Sequence, residues 1–504
     1  MTPLDPELDD RESRPSAPGS LPELVRRYES ALVALAAVLA FALHWYFRLS
    51  GFGEQDAARL ASDAIHWHET GQIFMAKVDY RLRTSPLYIH SLKLALDHGL
   101  PIRALPGLMN GVSVAASSAC LVGLYFLFRR LSEPRHAALA VFIYALTPAF
   151  WLGSVYGMPT LPALTFWVFS VLAFARATDE PSFRTPRFAG FMALSLALAG
   201  AAFALKADMA LSCGALLTIL IIHRRLRPVP VACAGAIAVG AVGFALLYAK
   251  RLATPEVEVA DPNSPNTIAG FLHSWSHRFP FRWSLLVDPK NNAPITHASG
   301  TLLFGLIVIA LVAGFVSGGK RARTTLALAI WGLTPLIFWG LKPGNSARHN
   351  LPVFAPLTLV AAIFLFELAR GKTGRAWLLT AALGVIGWLD QSGYNSVTPP
   401  VNVFDATRNV EGSTGALHAR VCEFASAPGA KKAIIESEYL IDYSEFEMWA
   451  AAKSPRARAQ PRAILDGPDR ETRVYEVSGT REARSVAQRL RQDGWDVFSV
   501  QFSL

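Results

Sequence analysis

ALVALAAVLAFALHWYFRLSGFGEQDAARLASDAIHWHETG, residues 31–71, sets two textures side by side. The first half is nearly pure Ala, Val, Leu and Phe. With the few residues before it, from about residue 28, it reaches the roughly 20 apolar residues that cross a hydrocarbon core about 30 Å thick. The second half, Gly51 to Gly71, presents Glu54, Asp56, Asp63, Glu69, Arg59, His66 and His68 as soon as the apolar run ends. A chain that leaves a bilayer straight into acids and histidines is placing chemistry at the membrane surface.

Working outward, the same apolar blocks recur. The 504 residues are 52% hydrophobic and only 17% charged, a balance that points to a polytopic α-helical membrane protein rather than a soluble one. About eleven transmembrane stretches begin near residues 28, 105, 137, 159, 189, 208, 229, 300, 325, 351 and 376. Lys and Arg set the orientation, because short loops rich in them stay in the cytoplasm. With the N-terminus inside, the cytoplasmic loops hold Arg129, Arg130 and Arg135, then Arg176, Arg184 and Arg187, then HRRLRP, GGKRAR and ARGKTGR. Outside lie a first loop over residues 50–104, a second long loop over 250–299, the turn LKPGNSARHN and everything after about Asp390. The net charge of +10 is absorbed by this topology, so nucleic acid is not an expected partner.

Residues 1–27 lack the basic start and early apolar core of a cleavable signal and read as a disordered cytoplasmic tail. Cys120, Cys213 and Cys233 fall in apolar stretches and only Cys422 outside them, which gives no disulfide framework and no cysteine metal site. Residues 391–504 change texture: AIIES, RAILD, TRVYEVSG and DVFSVQFSL have strand-like apolar runs. Thr480 caps a helix whose Ala483, Val486, Ala487 and Leu490 share a face before Gly494 ends it. This tail is expected to form a small extracytoplasmic α/β domain, either a lid or acceptor-recognition domain or a plain structural appendage.

In the opening stretch, Ala57, Leu60, Ala61 and Ala64 recur at helical spacing while Asp56, Arg59 and Asp63 lie on another face. The spacing predicts an amphipathic helix from Asp56 to Gly71 lying on the membrane surface, with Arg59 and Asp63 as an exposed ion pair. RLRTSPLYIHSLKLAL continues as a second interfacial helix. An Asp at a helix start also serves simply as an N-cap.

The ordered set Asp56, Gly71 and RTSPLYIH resembles the first outer loop of the lipid-dependent GT-C membrane glycosyltransferases. The branch in question contains the protein O-mannosyltransferases, the aminoarabinose transferase of lipid A and the RgtA/B/C/D-like enzymes. ALKADMAL resembles that family's Lys between two short spans, and SARHNLPVFAPL its Arg-aromatic-Leu-Pro entry into a late span. The resemblance covers residues 28–390. Three positions depart from it: Ala57 stands where a Glu usually follows the Asp, Arg348-His349 replaces the Arg-aromatic pair, and WLGSVYGMPTLP carries no acid.

The resemblance implies transfer of a sugar from a polyprenyl-phosphate donor to an envelope acceptor (lipid, glycan or protein) at the inner membrane, with inversion at the anomeric carbon. Asp56 would be the general base, its pKa raised from about 3.9 by partial desolvation. Lys206, Arg348 and Arg83 would neutralise the donor phosphate. Glu54, Arg59, Asp63, Asp79 and His349 are accessory candidates. The sequence leaves the cofactor open, a divalent metal being compatible with it but not required, and gives His66, His68 and His349 no tight ligand spacing. The aromatic and basic loop 273–300 suits either sugar and phosphate contact or interfacial anchoring. The alternatives are a non-catalytic lipid or glycan transporter and a scaffold member of the family.

Overall fold

Proline opens helix after helix in this chain, at the first turn where its missing N–H is no loss and its fixed φ is already helical. The computed structural model describes residues 21–46, 48, 55–71, 85–223, 226, 228–252, 301–341, 347–394, 424, 431–437, 465–467, 470–477 and 480–499. Helix α1 (Leu21–Tyr46) is followed by α2 (Gln55–Thr70), α3 (Pro86–Asp97), α4 (Leu105–Leu131), α5 (Pro134–Ala145), α6 (Pro148–Val155) and α7 (Thr160–Asp179). Then come α8 (Pro186–Leu205), a 3-10 segment (Ala207–Cys213), α9 (Gly214–Ile222), α10 (Pro228–Leu252), α11 (Thr301–Val316) and α12 (Gly319–Leu341). A 3-10 turn (Ala347–Asn350) leads into α13 (Leu351–Leu368) and α14 (Thr373–Tyr394). Thr185 shows how locally such starts are set: its hydroxyl accepts from the Phe188 N–H at 3.1 Å, capping α8.

Each of the eleven apolar stretches falls on helix, but not all as unbroken spans. Among the described residues five helices are long and apolar enough to cross a membrane: 105–131, 160–179, 186–205, 228–248 and 351–368. The pair 134–145 and 149–155 makes a sixth if taken as one span, bent by 73°. Pro148 accounts for that bend, since it disfavours helical geometry at Thr147 and donates no hydrogen bond. The stretch near 208 is broken likewise: Lys206 has extended backbone (φ −157°, ψ 109°), which ends α8 and starts the 3-10 turn.

Within the bundle, α7 and α13 are central, with 78% of each apolar window buried, against 28% for α10. A helix apolar on every side belongs in such a position. Trp167, Phe174, Phe203, Trp331 and Phe354 are buried in the bundle interior. The polar turns sort themselves by end. Arg130 pairs with Asp179, and Arg321 with Glu367 at 2.5 Å, so the basic turns after α4, α7, α11 and α13 gather at one end of the bundle. The turns carrying Lys206 and His349 meet at the other.

The segment read from the sequence as the first outer loop differs from expectation in what covers its apolar stripe. Ala57, Leu60, Ala61, Ala64 and Ile65 of α2 are buried with Tyr88, Ile89, Leu92 and Leu96 of α3 in the same core. The stripe therefore packs on protein rather than lying open to lipid, and Asp63, expected at an exposed position, is buried with it, 7% exposed. The Tyr88 hydroxyl donates to the Gly157 carbonyl at 2.9 Å, tying α3 to the α6–α7 turn.

Past the bundle, β1 (Lys431–Ser437), β2 (Leu465–Gly467), β3 (Arg470–Val477) and β4 (Asp496–Ser499) form a sheet of order β2-β3-β1-β4, with α15 (Thr480–Gln492) between β3 and β4. β1 pairs in parallel with both β3 and β4, whereas β2 pairs antiparallel with β3. Ala483, Ala487 and Leu490 of α15 pack on Ala433 and Ile435 of β1 and on Trp495.

Close approach at one glycine gives a direct test of the packing. A methyl group at Gly214 would stand 2.9 Å from the Ile330 carbonyl oxygen and 3.1 Å from the Trp331 Cα, so α9 rests on the backbone of α12, as small residues allow in membranes. Gly214→Ala is expected to destabilise the detergent-solubilised protein by about 1 to 3 kcal/mol. Gly235→Ala, where a methyl would meet nothing within 4 Å, is expected to leave the melting midpoint unchanged or slightly raised. Equal shifts would show that the α9–α12 contact does not limit stability.

Candidate active site

The site grows from two helix breaks. The first is Lys206, whose extended backbone turns its side chain into the bundle, where it is 6% exposed. Its Nζ donates to Thr160 Oγ1 at 3.0 Å, at the start of α7, and lies 3.8 Å from Asp208 Oδ2. The second break is the 3-10 turn before α13, which brings His349 Nδ1 to 3.6 Å from the same Asp208 oxygen. Tyr144 holds that turn, its buried hydroxyl donating to the Leu351 carbonyl at 3.0 Å.

The result is a carboxylate between two basic groups in a poorly solvated place. At 3.6 to 3.8 Å these are charge contacts rather than tight hydrogen bonds, but low solvation strengthens them. An ammonium buried this way needs a counter-charge, and Asp208 supplies it. The sequence alone offered Lys206 as a cation for the donor phosphate, and Thr160 carried no signal beyond lying between two prolines. His349 joins them through Asp208.

Other candidates fall differently. Asp56 is the second residue of α2 and so lies within its first turn, not at the cap; Arg59 is on the same helix. Arg348 is the second residue of the 3-10 turn next to His349. Glu54, Asp79, Arg83 and the loop 273–300 lie outside the described residues. His68 pairs with Asp97 at 2.8 Å and His349 with Asp208, so these two histidines serve different carboxylates. Among the described residues no three His, Cys, Asp or Glu side chains stand together as metal ligands would.

A second polar cluster flanks α3. Lys93 also pairs with Asp97 and its ammonium lies over Trp67, while His90 contacts the Tyr248 hydroxyl of α10. Hydrogen bonds from Lys93 and then His68 hold the Asp97 carboxyl below its usual range. Burial, and secondarily Lys93, hold the His90 imidazole below its ordinary value of 6.5, with Asp97 opposing. Both shifts have the same sign of consequence. The folded state binds fewer protons than the unfolded one, so for His90 the stabilisation is complete above about pH 6.5 and is lost as pH falls through the depressed value. Lowering the pH from 7.5 to 5 is therefore expected to lower the melting midpoint, and His90→Gln is expected to flatten that dependence. An unchanged slope in His90→Gln would remove His90 as the titrating group.

A family model described as dolichyl-phosphate-mannose-protein mannosyltransferase matches residues 108–248, from α4 to the end of the α10 span. An undecaprenyl phosphate-α-4-amino-4-deoxy-L-arabinose arabinosyl transferase of Edwardsiella ictaluri is 26% identical over 288 residues, 55% of this chain and 48% of its own length. The corresponding Yersinia enterocolitica protein is 24% identical over 282 residues, with 54% and 48% covered. The chain thus spans about half the length of the curated relatives it matches. In three dimensions it superposes on ArnT of Cupriavidus metallidurans, solved bound to undecaprenyl phosphate, with a TM-score of 0.55 at 14% identity, covering 83% of this chain and 84% of that one. The oligosaccharyltransferase AglB of Archaeoglobus fulgidus, solved with an inhibitory peptide and a dolichol-phosphate, gives 0.50 at 11% identity, covering 84% and 64%. In sequence across part of the bundle and in fold across most of its length, the chain is similar to the GT-C membrane glycosyltransferases.

Proposed function

We propose that this protein is an integral inner-membrane glycosyltransferase that moves a sugar from a polyprenyl-phosphate donor to an envelope acceptor outside the cytoplasm, inverting the anomeric carbon. The observation that carries the reading is the buried Lys206, set with Thr160, Asp208 and His349 at the end of the bundle opposite the basic turns. A fold like that of a protein solved with undecaprenyl phosphate supports it. In this reading residues 28–390 form the catalytic membrane domain and 391–504 an extracytoplasmic domain, with residues 1–27 a cytoplasmic tail.

The acceptor hydroxyl attacks the anomeric carbon as Asp56 takes its proton, and the bond from that carbon to the phosphate oxygen breaks. The polyprenyl phosphate leaves with the electron pair. Lys206, Arg348 and Arg83 stabilise the negative charge that grows on it, and a desolvated setting makes each cation count for more. Asp208 keeps Lys206 charged and positioned until the donor arrives. The reading is tested by incubating the purified protein with a panel of radiolabelled polyprenyl-phosphate sugars and an envelope extract. Transfer of label from at least one donor is expected, and no transfer from any of them would favour a non-catalytic role.

Topology is checked separately. With Cys422 replaced by Ser, single cysteines introduced at His98 and Gln488 are expected to react with an impermeant thiol reagent applied to the outer face of the inner membrane, and one at Ser317 is not. Labelling of Ser317→Cys alone would invert the arrangement and move the site to the cytoplasm.

A further inference from the structure

The basic end of the bundle contains a cavity of about 360 Å³ that the transfer reaction does not use. Its rim is polar, formed by Ser132 and Glu133 before α5, His136 at the start of α5, Lys320, Arg321 and Thr324 from the start of α12, and Glu367 from the end of α13; Glu133 is paired with Arg135 at 2.5 Å. Its depth is apolar, lined by Ala310, Leu328, Val360 and Ile363. We propose that this cavity binds an anionic glycerophospholipid of the adjoining leaflet, headgroup phosphate at Lys320 and Arg321 and acyl chain against Leu328, Val360 and Ile363.

Two features beyond the cavity point to an anion. Lys320, Arg321 and Arg323 all lie at the N-terminal end of α12, where the helix dipole is positive and cations are disfavoured. Such crowding is relieved when a negative group sits among them. Glu367 does so for Arg321, at 2.5 Å, whereas Lys320 stands exposed at the rim. The free N–H groups of the first turn of α12 add donors for phosphate oxygens. The apolar depth decides between sources. A free phosphate needs only the rim, while a lipid also fills the space beneath it, and basic pockets between membrane helices are where anionic headgroups bind.

The full-length protein, purified and delipidated in neutral detergent, is to be titrated with phosphatidylglycerol, phosphatidylcholine of the same acyl chains and inorganic phosphate. Bound lipid is counted by native mass spectrometry, and the melting midpoint is followed. One saturable phosphatidylglycerol is expected, raising the midpoint, with phosphatidylcholine held at least roughly tenfold more weakly and phosphate without effect. Lys320→Gln is expected to weaken phosphatidylglycerol binding about fivefold. Arg323→Gln, in the same turn but away from the cavity lining, is expected to leave it nearly unchanged. Ile363→Phe, which fills the depth and keeps every rim charge, is expected to weaken both lipids. Equal binding of the two lipids, parental affinity in Lys320→Gln or in Ile363→Phe, or full stabilisation by phosphate alone would each overturn the proposal. Melting each variant without lipid separates loss of binding from loss of fold.

Discussion

Asp56→Asn is expected to cut sugar transfer by about 100-fold to 10,000-fold, the usual contribution of a positioned general base, while the protein inserts and folds as before. Asn keeps the size of the side chain and its capacity to accept a hydrogen bond, but almost none of its basicity. Asp56 is the second residue of α2, so its charge also favours the helix dipole. Losing that interaction costs about 0.3 to 1 kcal/mol, too little to unfold the chain. Donor binding is expected to survive because the phosphate is held by other residues. Asp97→Asn provides the control for lost charge on the same outer loop and is expected to keep most of the activity. Asp63 is unsuitable for that purpose, since it is buried and its neutralisation would probe packing. Transfer at the parental rate in Asp56→Asn would reduce Asp56 to a helix-stabilising residue and weaken the enzymatic reading as a whole.

Lys206→Met is expected to weaken donor binding or slow turnover by about 2 to 5 kcal/mol, roughly 30-fold to 5,000-fold, the range for removing one partner of a desolvated charge contact. The donor phosphate would lose one of its cations, and Asp208, which also faces His349 at 3.6 Å, would lose the ammonium beside it. Arg348→Met is expected to act in the same direction. Thermal melts and donor-binding titrations separate the two consequences: a structural lysine would lower the midpoint and spare affinity, whereas a phosphate ligand lowers affinity in protein that still melts cooperatively. Normal binding and turnover in Lys206→Met would return Lys206 to a packing role.

What the sequence determined by itself is what depends on near neighbours in the chain. Hydropathy over about 20 residues marks where helices lie because crossing hydrocarbon is a matter of local composition. Pro186 after Thr185, the apolar spacing in α2 and the Thr480 to Gly494 helix are legible for the same reason, each being set within a few turns. The alternation of basic and varied loops likewise gave two chemically distinct ends. What only the tertiary structure decided is which distant groups meet. Thr160 and Lys206 are 46 residues apart, and Asp208 reaches His349 only because two helix breaks fall at the same depth of the bundle. Asp63 was expected in water and is buried because the face of α2 that is covered depends on where α3 packs, which no periodicity within α2 records. The cavity at the basic end exists because turns far apart in the chain converge there. A linear pattern fixes the face and the span, but burial and charge pairing are properties of the neighbours that folding brings in.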